Sequence, residues 1–143
     1  MLVSSILRSK GANVFTAPPT MTIAEAARIL AEKRVGVLVI TGRDNSVVGV
    51  LSERDIVRGL ADRGGDCLSD KVEAFMTGDP FTASLSDHGE HILGQMTEGR
   101  FRHMPVVEDG KLVGMVTLGD VVKARLDELA MENASMQGMI MGY

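Results

Sequence analysis

An internal duplication constrains the fold of this chain more than any other feature of its sequence. Residues 15–17 match residues 81–83, and residues 49–55 match residues 114–120 in the spacing and type of their polar positions. A repeat of this length is a supersecondary unit that buries its apolar face against its twin. We therefore expect two similar units that share one junction, with any functional site at that junction.

The composition predicts one compact globular module with an aliphatic core. The chain has 143 residues, of which 45% are hydrophobic and only 3% aromatic. Each half alone would bury too little surface to be stable, so we expect the halves to fold together. The core should consist mainly of valine, isoleucine, leucine, alanine and methionine.

Charge and cysteine content exclude several classes of protein. The net charge is −4 and the pI is near 5.3, which argues against a broad basic face for nucleic acid. Cys67 is alone, so no intramolecular disulfide and no cysteine-rich zinc site can form. Residues 1–11 lack the apolar core of a secretory signal, and no apolar run reaches the length of a membrane span, so we expect a cytoplasmic protein without membrane contact.

The hydrophobic pattern predicts the same order of elements in each half: helix, strand, helix, strand, strand, helix. An amphipathic helix is indicated by Ile23, Ala26, Ala27 and Leu30, which share one helical face. The β-branched run at 35–40 and the segment 47–51 are typical of a hairpin. The other predicted pieces are helices at 2–9 and 69–76, extended stretches at 14–17 and 80–83, strands at 102–107 and 112–117, and closing helices after Ser52 and Thr117.

The last helix is predicted to continue past the repeat. Val122, Leu126, Leu129, Asn133 and Met136 recur at alternating spacings of four and three, as in a coiled-coil seam. Such a seam can pair with another copy of the chain or pack back on its own module, and the sequence leaves both open. Residues 136–143 are expected to fray.

Two motifs and one strand carry a resemblance to a known family. Residues 49–55 and 114–120 each read as glycine, apolar residues, Ser/Thr and then Asp three positions later, ending at Asp55 and Asp120; residues 102–107 contain Pro105 in the matching strand. Over residues 1–125 the chain resembles a tandem pair of cystathionine β-synthase (CBS) domains, a Bateman module. The resemblance implies an α/β (α+β) fold of two β-α-β-β-α repeats packed sheet to sheet about a pseudo-two-fold axis. Repeat 1 would span 1–65, repeat 2 66–125, and a helical extension with a frayed tail 126–143.

The resemblance also implies a function. Modules of this family commonly bind AMP, ADP, ATP or S-adenosylmethionine in two clefts. The family's ribose-binding aspartate would correspond to Asp55 and Asp120, and Ser52 and Thr117 would lie near ribose and phosphate. The implied ligand-contacting residues are Lys10, Phe15, Thr16, Gly36, Val37, Val50, Ser52, Arg54, Asp55, Phe81, Thr82, Arg102, His103, Pro105, Met115, Thr117 and Asp120.

The chemistry of the motif suits a nucleotide independently of the family. A carboxylate has two acceptor oxygens for a cis-diol, and the N-terminus of a helix offers free N–H groups to phosphate. The competing interpretation is that Ser-x-x-Asp and Thr-x-x-Asp are capping boxes that need no ligand. The apolar candidates Phe15, Phe81, Val50, Met115 and Val37 are equally suitable as core residues.

The two clefts are expected to differ. If the family's cross-repeat arrangement holds, the Asp55 cleft receives residues 81–82 and has Arg54, Arg102 and His103 within reach. The Asp120 cleft receives Lys10, residues 15–16 and residues 36–37, with Lys10 and Arg102 as its cations. We therefore predict different affinities, with more positive charge at the Asp55 cleft.

No catalytic apparatus is recognisable in the sequence. It has no Walker loop, no Gly-x-Gly-x-x-Gly after a strand and no assignable nucleophile with its base. His88 and His91 could share a helix face, but without a third ligand nearby a solvated helix start is favoured over a metal site. We predict a ligand sensor that forms a homodimer and binds adenosine nucleotides, including NAD(H); a ligand-free dimerisation module and a nucleotide-processing enzyme remain alternatives.

Overall fold

The computed structural model describes residues 1–140, which form two copies of one helix-and-hairpin unit. The helices are α1 (Val3–Lys10), α2 (Ile23–Lys33), α3 (Glu53–Arg63), α4 (Gly89–Gly99) and α5 (Leu118–Ile140). The strands are β1 (Thr16–Ala17), β2 (Val37–Thr41), β3 (Val47–Ser52), β4 (Thr77–Gly78), β5 (His103–Glu108) and β6 (Lys111–Thr117). Short 3₁₀ helices lie at Arg43–Asn45, Gly64–Ser69 and Val72–Ala74.

Each half builds a sheet around its hairpin. In the first half β2 and β3 are antiparallel, β1 joins β2 in parallel, and β4 adds to β3. In the second half β5 and β6 are antiparallel, and Ala83 bridges Val106 in parallel, at the place where Ala17 pairs with Ile40 in the first half. The predicted α/β class with two repeats is confirmed.

The two cores are completed by segments from the opposite half. Val3 and Ile6 of α1 are buried in the second core, beside residues of α4, β5 and β6. Cys67 and Val72, from the connection between the halves, are buried in the first core. The division of the chain at residues 65/66 and 125/126 stays a prediction, since the cores exchange segments across the first boundary and α5 runs without interruption through the second.

The repeated glycine of the two motifs makes room for these exchanged segments. A Cβ atom added to Gly114 would lie 2.8 Å from Leu7 Cδ1 of α1. A Cβ atom added to Gly49 would lie 3.0 Å from the carbonyl oxygen of Thr77. Because real Cβ atoms do not approach other atoms this closely, each repeat needs glycine where the other half crosses its strand.

The sheets pack against each other through a third apolar cluster. Val39 of β2 lies with Leu112 and Met115 of β6, and partly buried valines surround them. Asn45 Nδ2 adds a hydrogen bond of 3.0 Å to the carbonyl oxygen of Leu112. This sheet-to-sheet arrangement brings the beginning of β2 close to the beginning of β5 and the end of β6, where the candidate site lies.

One local prediction is wrong. Residues 69–76 form no α-helix, because Asp70 O accepts from Ile23 N at 2.9 Å and Val72 N donates to Met21 O at 2.8 Å, which commits their backbone groups to the start of α2. Residues 136–140 form the end of α5, residues 141–143 lie outside the described part of the chain, and the fraying of 136–143 stays a prediction. Over residues 1–140, the helices lack the combination of length and apolarity that crossing a bilayer requires.

Candidate functional site

A cleft of about 230 Å³ lies between the two repeats. It is lined by Lys10, Asn13, Val14, Phe15, Val35, Gly36, Val37, His103, Met115 and Thr117. Seven of these ten are residues that the sequence predicted for ligand contact, from both halves. Strand pairing groups them within each half, because β1 is parallel to β2 and His103 of β5 is opposite Thr117 of β6, and the packing of the two sheets brings the halves together. We call this the Asp120 cleft, after the carboxylate that lies beside Thr117.

The three lining residues that the sequence analysis missed flank predicted positions. Asn13 and Val14 precede Phe15, and Val35 precedes Gly36. Val14 and Val37 also pack on the cluster between the sheets, so part of the wall of the cleft is the edge of the core. Proximity in sequence to Phe15 and Gly36 was the only signal that could have identified them.

The second motif forms a capping box at the start of α5. Asp120 N donates to Thr117 Oγ1 at 3.1 Å, and Thr117 N donates to Asp120 Oδ2 at 2.9 Å. These bonds satisfy backbone donors at the helix N-terminus and fix the Asp120 carboxylate at the rim of the cleft. The capping box predicted as the competing interpretation is therefore present. It orients the same carboxylate that the resemblance assigns to ribose binding.

Lys10, in the last turn of α1, binds the Asp120 carboxylate; α1 belongs to the first repeat in sequence but packs on the second core. Lys10 Nζ donates to Asp120 Oδ2 at 2.6 Å and to the carbonyl oxygen of Met115 at 2.9 Å. The side chains of Lys10 and Asp120 are 29% and 22% exposed, so water screens the pair only partly. Partial burial acts to raise the pKa of Asp120, but the hydrogen bonds from Lys10 and Thr117 outweigh it and hold that pKa below its ordinary value.

His103 is a half-buried imidazole in the wall of the same cleft. Burial lowers the pKa of His103, and the positive charges of Arg102 and Lys10 lower it further. The neutral form is therefore favoured in the absence of an anion. The resemblance implies that His103 lies within reach of Asp55; the structure places it in the wall of the Asp120 cleft, opposite Thr117 in the hairpin.

The first motif forms a matching capping box at the start of α3. Asp55 Oδ2 accepts from Ser52 N at 2.8 Å and from Ser52 Oγ at 3.0 Å, and Asp55 N donates to Ser52 Oγ at 3.2 Å. Asp55 Oδ1 lies 3.7 Å from Arg58 Nη1, whose side chain is 69% exposed. Asp55 itself is buried. His103, one of the groups expected here, lines the other cleft, and the expectation of more positive charge at the Asp55 cleft stays a prediction.

The other predicted residues do not line the Asp120 cleft. Phe81 is 59% exposed and stacks on Phe101 with ring centroids 5.3 Å apart. Pro105 is buried opposite Met115 in the hairpin, and Val50 is half-buried in β3. Thr16, Arg54, Thr82 and Arg102 are exposed.

The His88 and His91 pair gains no further ligand in the structure. His88 precedes α4 and His91 lies in its first turn. In the part of the chain that the structure describes, no group of three or more His, Cys, Asp or Glu side chains is arranged to hold a metal ion.

Comparisons with known proteins agree with this architecture. A family model described as "CBS domain" matches the chain twice, over residues 3–62 and 72–127. The crystal structure of the CBS-domain containing protein ATU1752 from Agrobacterium tumefaciens is similar, with a TM-score of 0.82 and 38% identity over 87% of this chain and 99% of that chain.

Two similar structures contain ligands. The CBS domain protein PAE2072 from Pyrobaculum aerophilum, complexed with AMP, is 34% identical with a TM-score of 0.78, covering 92% of this chain and 99% of that one. The CBS domain pair of protein MJ0100, in complex with 5′-methylthioadenosine and S-adenosyl-L-methionine, is 28% identical with a TM-score of 0.77, covering 90% and 98%. Since the family model matches twice and most of the chain is covered, this protein belongs to the CBS domain family, as a tandem pair of CBS domains.

Proposed function

We propose that this chain is a regulatory module that binds an adenosine nucleotide with a phosphate group in the Asp120 cleft. The observation that carries the proposal is the convergence of Lys10, His103, Thr117 and Asp120 on one cleft between the repeats. The complexes of similar CBS proteins with AMP and with 5′-methylthioadenosine and S-adenosyl-L-methionine support the adenosine part of the ligand.

Each group in the cleft has a distinct role in this proposal. The Asp120 carboxylate accepts hydrogen bonds from the two ribose hydroxyls, while Lys10 moves from Asp120 toward the phosphate. The positive end of the α5 dipole favours an anion nearby, while the N–H groups of Thr117, Leu118 and Asp120 are already hydrogen-bonded. Phe15, Val37 and Met115 provide the apolar surface for adenine.

Charge selects the phosphate-bearing ligands within the adenosine class. Lys10 and His103 line the cleft, and Arg102 lies near enough to lower the pKa of His103. This surface attracts a 5′-phosphate and repels the sulfonium cation of S-adenosylmethionine. The Glu53 carboxylate lies beside Gly36 at the same cleft and opposes this potential, and its exposure to solvent screens part of that effect. We therefore expect AMP, ADP or ATP to bind more tightly than adenosine or S-adenosylmethionine.

The size of the cleft limits how much of the ligand it encloses. A volume of about 230 Å³ is below the roughly 300–1,000 Å³ of typical small-molecule pockets. A mononucleotide would extend past the mouth of the cleft, and the nicotinamide half of NAD(H) would lie outside it. NAD(H) thus fits the proposal through its adenosine half alone.

The position of the cleft supplies the regulatory step. Its walls come from the end of α1, the start of β2 and the β5–β6 hairpin, so a bound nucleotide contacts both repeats. A ligand shifts a conformational equilibrium only through its differential affinity for the two states, and contacts across a junction provide such a difference. Ligand level would then be reported as a change in the packing of the repeats.

Calorimetric titration of the full chain tests the proposal. AMP, ADP, ATP, NADH, adenosine and S-adenosylmethionine are titrated into the native protein and into Asp120→Asn and Asp55→Asn. Asparagine retains an acceptor oxygen for the capping box, so both variants should fold. We expect Asp120→Asn to weaken AMP binding about tenfold or more, the loss of one charge-assisted hydrogen bond, and Asp55→Asn to leave the tighter site unchanged.

The same titration separates the alternatives. Lack of binding by all six compounds would leave a ligand-free dimerisation module as the better description. Chromatography of the recovered nucleotide tests for an enzyme, because turnover would appear as a product. Equal affinity of AMP and adenosine would refute the role of Lys10 and His103 in binding phosphate.

A further inference from the structure

The second half of α5 projects beyond the two-repeat module. α5 has 23 residues, whereas the family match ends at residue 127. Along residues 129–140 every residue except the partly buried Gly138 is exposed, with Met136 62% and Ile140 82% exposed. A free helix shorter than about 12–15 residues is marginal in water, and a glycine inside it costs about 1 kcal/mol more than alanine. The first half of α5 supplies the helical nucleus for the projecting segment, but no packing on its own module stabilises that segment, so a partner on its apolar face would stabilise it.

The exposed surface of α5 carries a regular apolar seam. Its members are Val122, Leu126, Leu129, Asn133, Met136 and Ile140. They alternate at spacings of four and three residues, the period of a left-handed coiled coil. Ile140 extends the pattern identified in the sequence by one further position.

The seam faces away from the module that carries it. α5 packs on the second core through Val121, which is fully buried, and through Ala124. On the neighbouring face Val122, Leu126 and Leu129 remain 40%, 60% and 43% exposed. Of the two possibilities left open by the sequence, packing of the seam back on its own module does not occur in this structure.

We propose that the seam of α5 pairs with the seam of a second copy of this chain, parallel and in register. Asn133, the one polar residue on the seam, indicates that the partner is a second copy of this chain, because only a matching amide satisfies it there. In the parallel pair Asn133 faces Asn133 of the partner subunit, and the two amides can hydrogen-bond, a device that fixes register and dimeric state. The antiparallel pair that keeps all six seam residues in contact would place Asn133 against Leu129 of the partner subunit and leave a buried amide without a bond.

The charges beside the seam are compatible with this pairing. In a parallel coiled coil, the residue before every second seam position, here Leu126 and Asn133, faces a flanking residue five positions further along the other helix. Arg125 would then face Ala130 of the partner subunit, and Glu132 would face Gln137 of the partner subunit. Neither contact places like charges together. The pairing does not depend on nucleotide binding and can be tested separately.

Cysteine cross-linking of the full chain tests both register and orientation. In a parallel pair the two residues 133 lie across the seam from each other, close enough for a disulfide, so Asn133→Cys should form a covalent dimer in a glutathione redox buffer. Met131→Cys is the matched control, because Met131 is 74% exposed on the outer face of α5. The native Cys67 is fully buried and does not compete. Cross-linking of Asn133→Cys at a rate no greater than that of Met131→Cys would overturn the proposal.

Sedimentation equilibrium provides an independent measurement. Leu129→Lys places a charge on the seam, and Met131→Lys places the same charge outside it. We expect Leu129→Lys to weaken self-association at least tenfold and to lower the helical signal in circular dichroism, while Met131→Lys matches the native chain. Unchanged association of Leu129→Lys would refute pairing through this seam.

Discussion

Lys10 Nζ lies 2.6 Å from Asp120 Oδ2 and joins the end of α1 to the beginning of α5. The two residues come from different repeats, and the same ammonium group also holds the carbonyl oxygen of Met115. A nucleotide that engages Asp120 competes with this ion pair. In the proposed function, ligand binding therefore changes the contact of α1 with the second core, on which α1 packs, and the lysine gains a phosphate partner in exchange.

Lys10→Met should separate recognition of phosphate from recognition of ribose. We expect AMP affinity to fall about tenfold or more, because a charge-assisted hydrogen bond contributes about 1.5–3 kcal/mol. Adenosine affinity should stay constant or improve, because ribose binding no longer requires the Lys10–Asp120 ion pair to break. Calorimetry with both ligands measures the difference, with Lys123→Met on the outer surface of α5 as the control. Equal weakening of AMP and adenosine would contradict the assignment.

The same ion pair predicts a loss of stability in acid. The pKa of Asp120 in the folded chain lies below its ordinary value of 3.8. The stability that this pair provides is therefore present above pH 3.8 and is lost as the pH falls through the lower folded pKa. Urea unfolding of native chain and Lys10→Met should show a difference in free energy that is constant at neutral pH and shrinks below pH 3.8. A difference that persists unchanged in acid would argue against the pair.

His103 predicts a pH dependence of ligand affinity. Its pKa lies below the ordinary 6.5, first because of burial and then because of Arg102 and Lys10. A bound phosphate raises that pKa, so AMP binding takes up a proton and strengthens as the pH falls from 8 toward 5. The phosphate of AMP titrates in the same range, so the quantity to measure is the ratio of native to His103→Gln affinity at each pH. The ratio should increase in acid, whereas a constant ratio would exclude His103 from phosphate binding.

His103 also affects stability, with a definite sign. A histidine whose folded pKa is lowered stabilises the native state fully above pH 6.5, and this contribution declines as the pH falls below that value. Without ligand, the native chain should therefore lose stability below pH 6.5 more steeply than His103→Gln. Denaturation in urea at pH 7.5 and pH 5.5 gives the comparison, and parallel profiles would contradict it.

The duplication predicts the fold, but the sequence alone could not assign His103 to a cleft. The assignment depends on strand register, which places His103 opposite Thr117. Register is set by turn geometry and packing across the hairpin, which are tertiary properties. The residues of segment 69–76 favour a helix, yet the backbone of this segment hydrogen-bonds to the start of α2. Local propensity alone does not reveal that competition.

The matched glycines predict unequal costs of the same substitution. Gly114→Ala would bring a Cβ atom against Leu7, a flexible side chain that can move aside. Gly49→Ala would meet Met76 and also the carbonyl oxygen of Thr77, which β4 pairing holds in place. We expect Gly49→Ala to destabilise the chain by about 1–3 kcal/mol and Gly114→Ala by less. Urea unfolding checks the order, and a larger cost at Gly114 would show that α1 is the more rigid of the two crossing segments.

Capping and ligand binding can be separated by changing the two hydroxyl residues in parallel. Ser52→Ala and Thr117→Ala each remove an N-cap acceptor, so both should lower the free energy of unfolding by about 1 kcal/mol. Only Thr117 lines the described cleft, so only Thr117→Ala should also weaken AMP binding there. Thr117→Ser retains the hydroxyl and should keep both the stability and the AMP affinity of the native chain. If Ser52→Ala and Thr117→Ala both left AMP affinity unchanged, the two motifs would be caps alone, and the site would have to lie elsewhere in the junction.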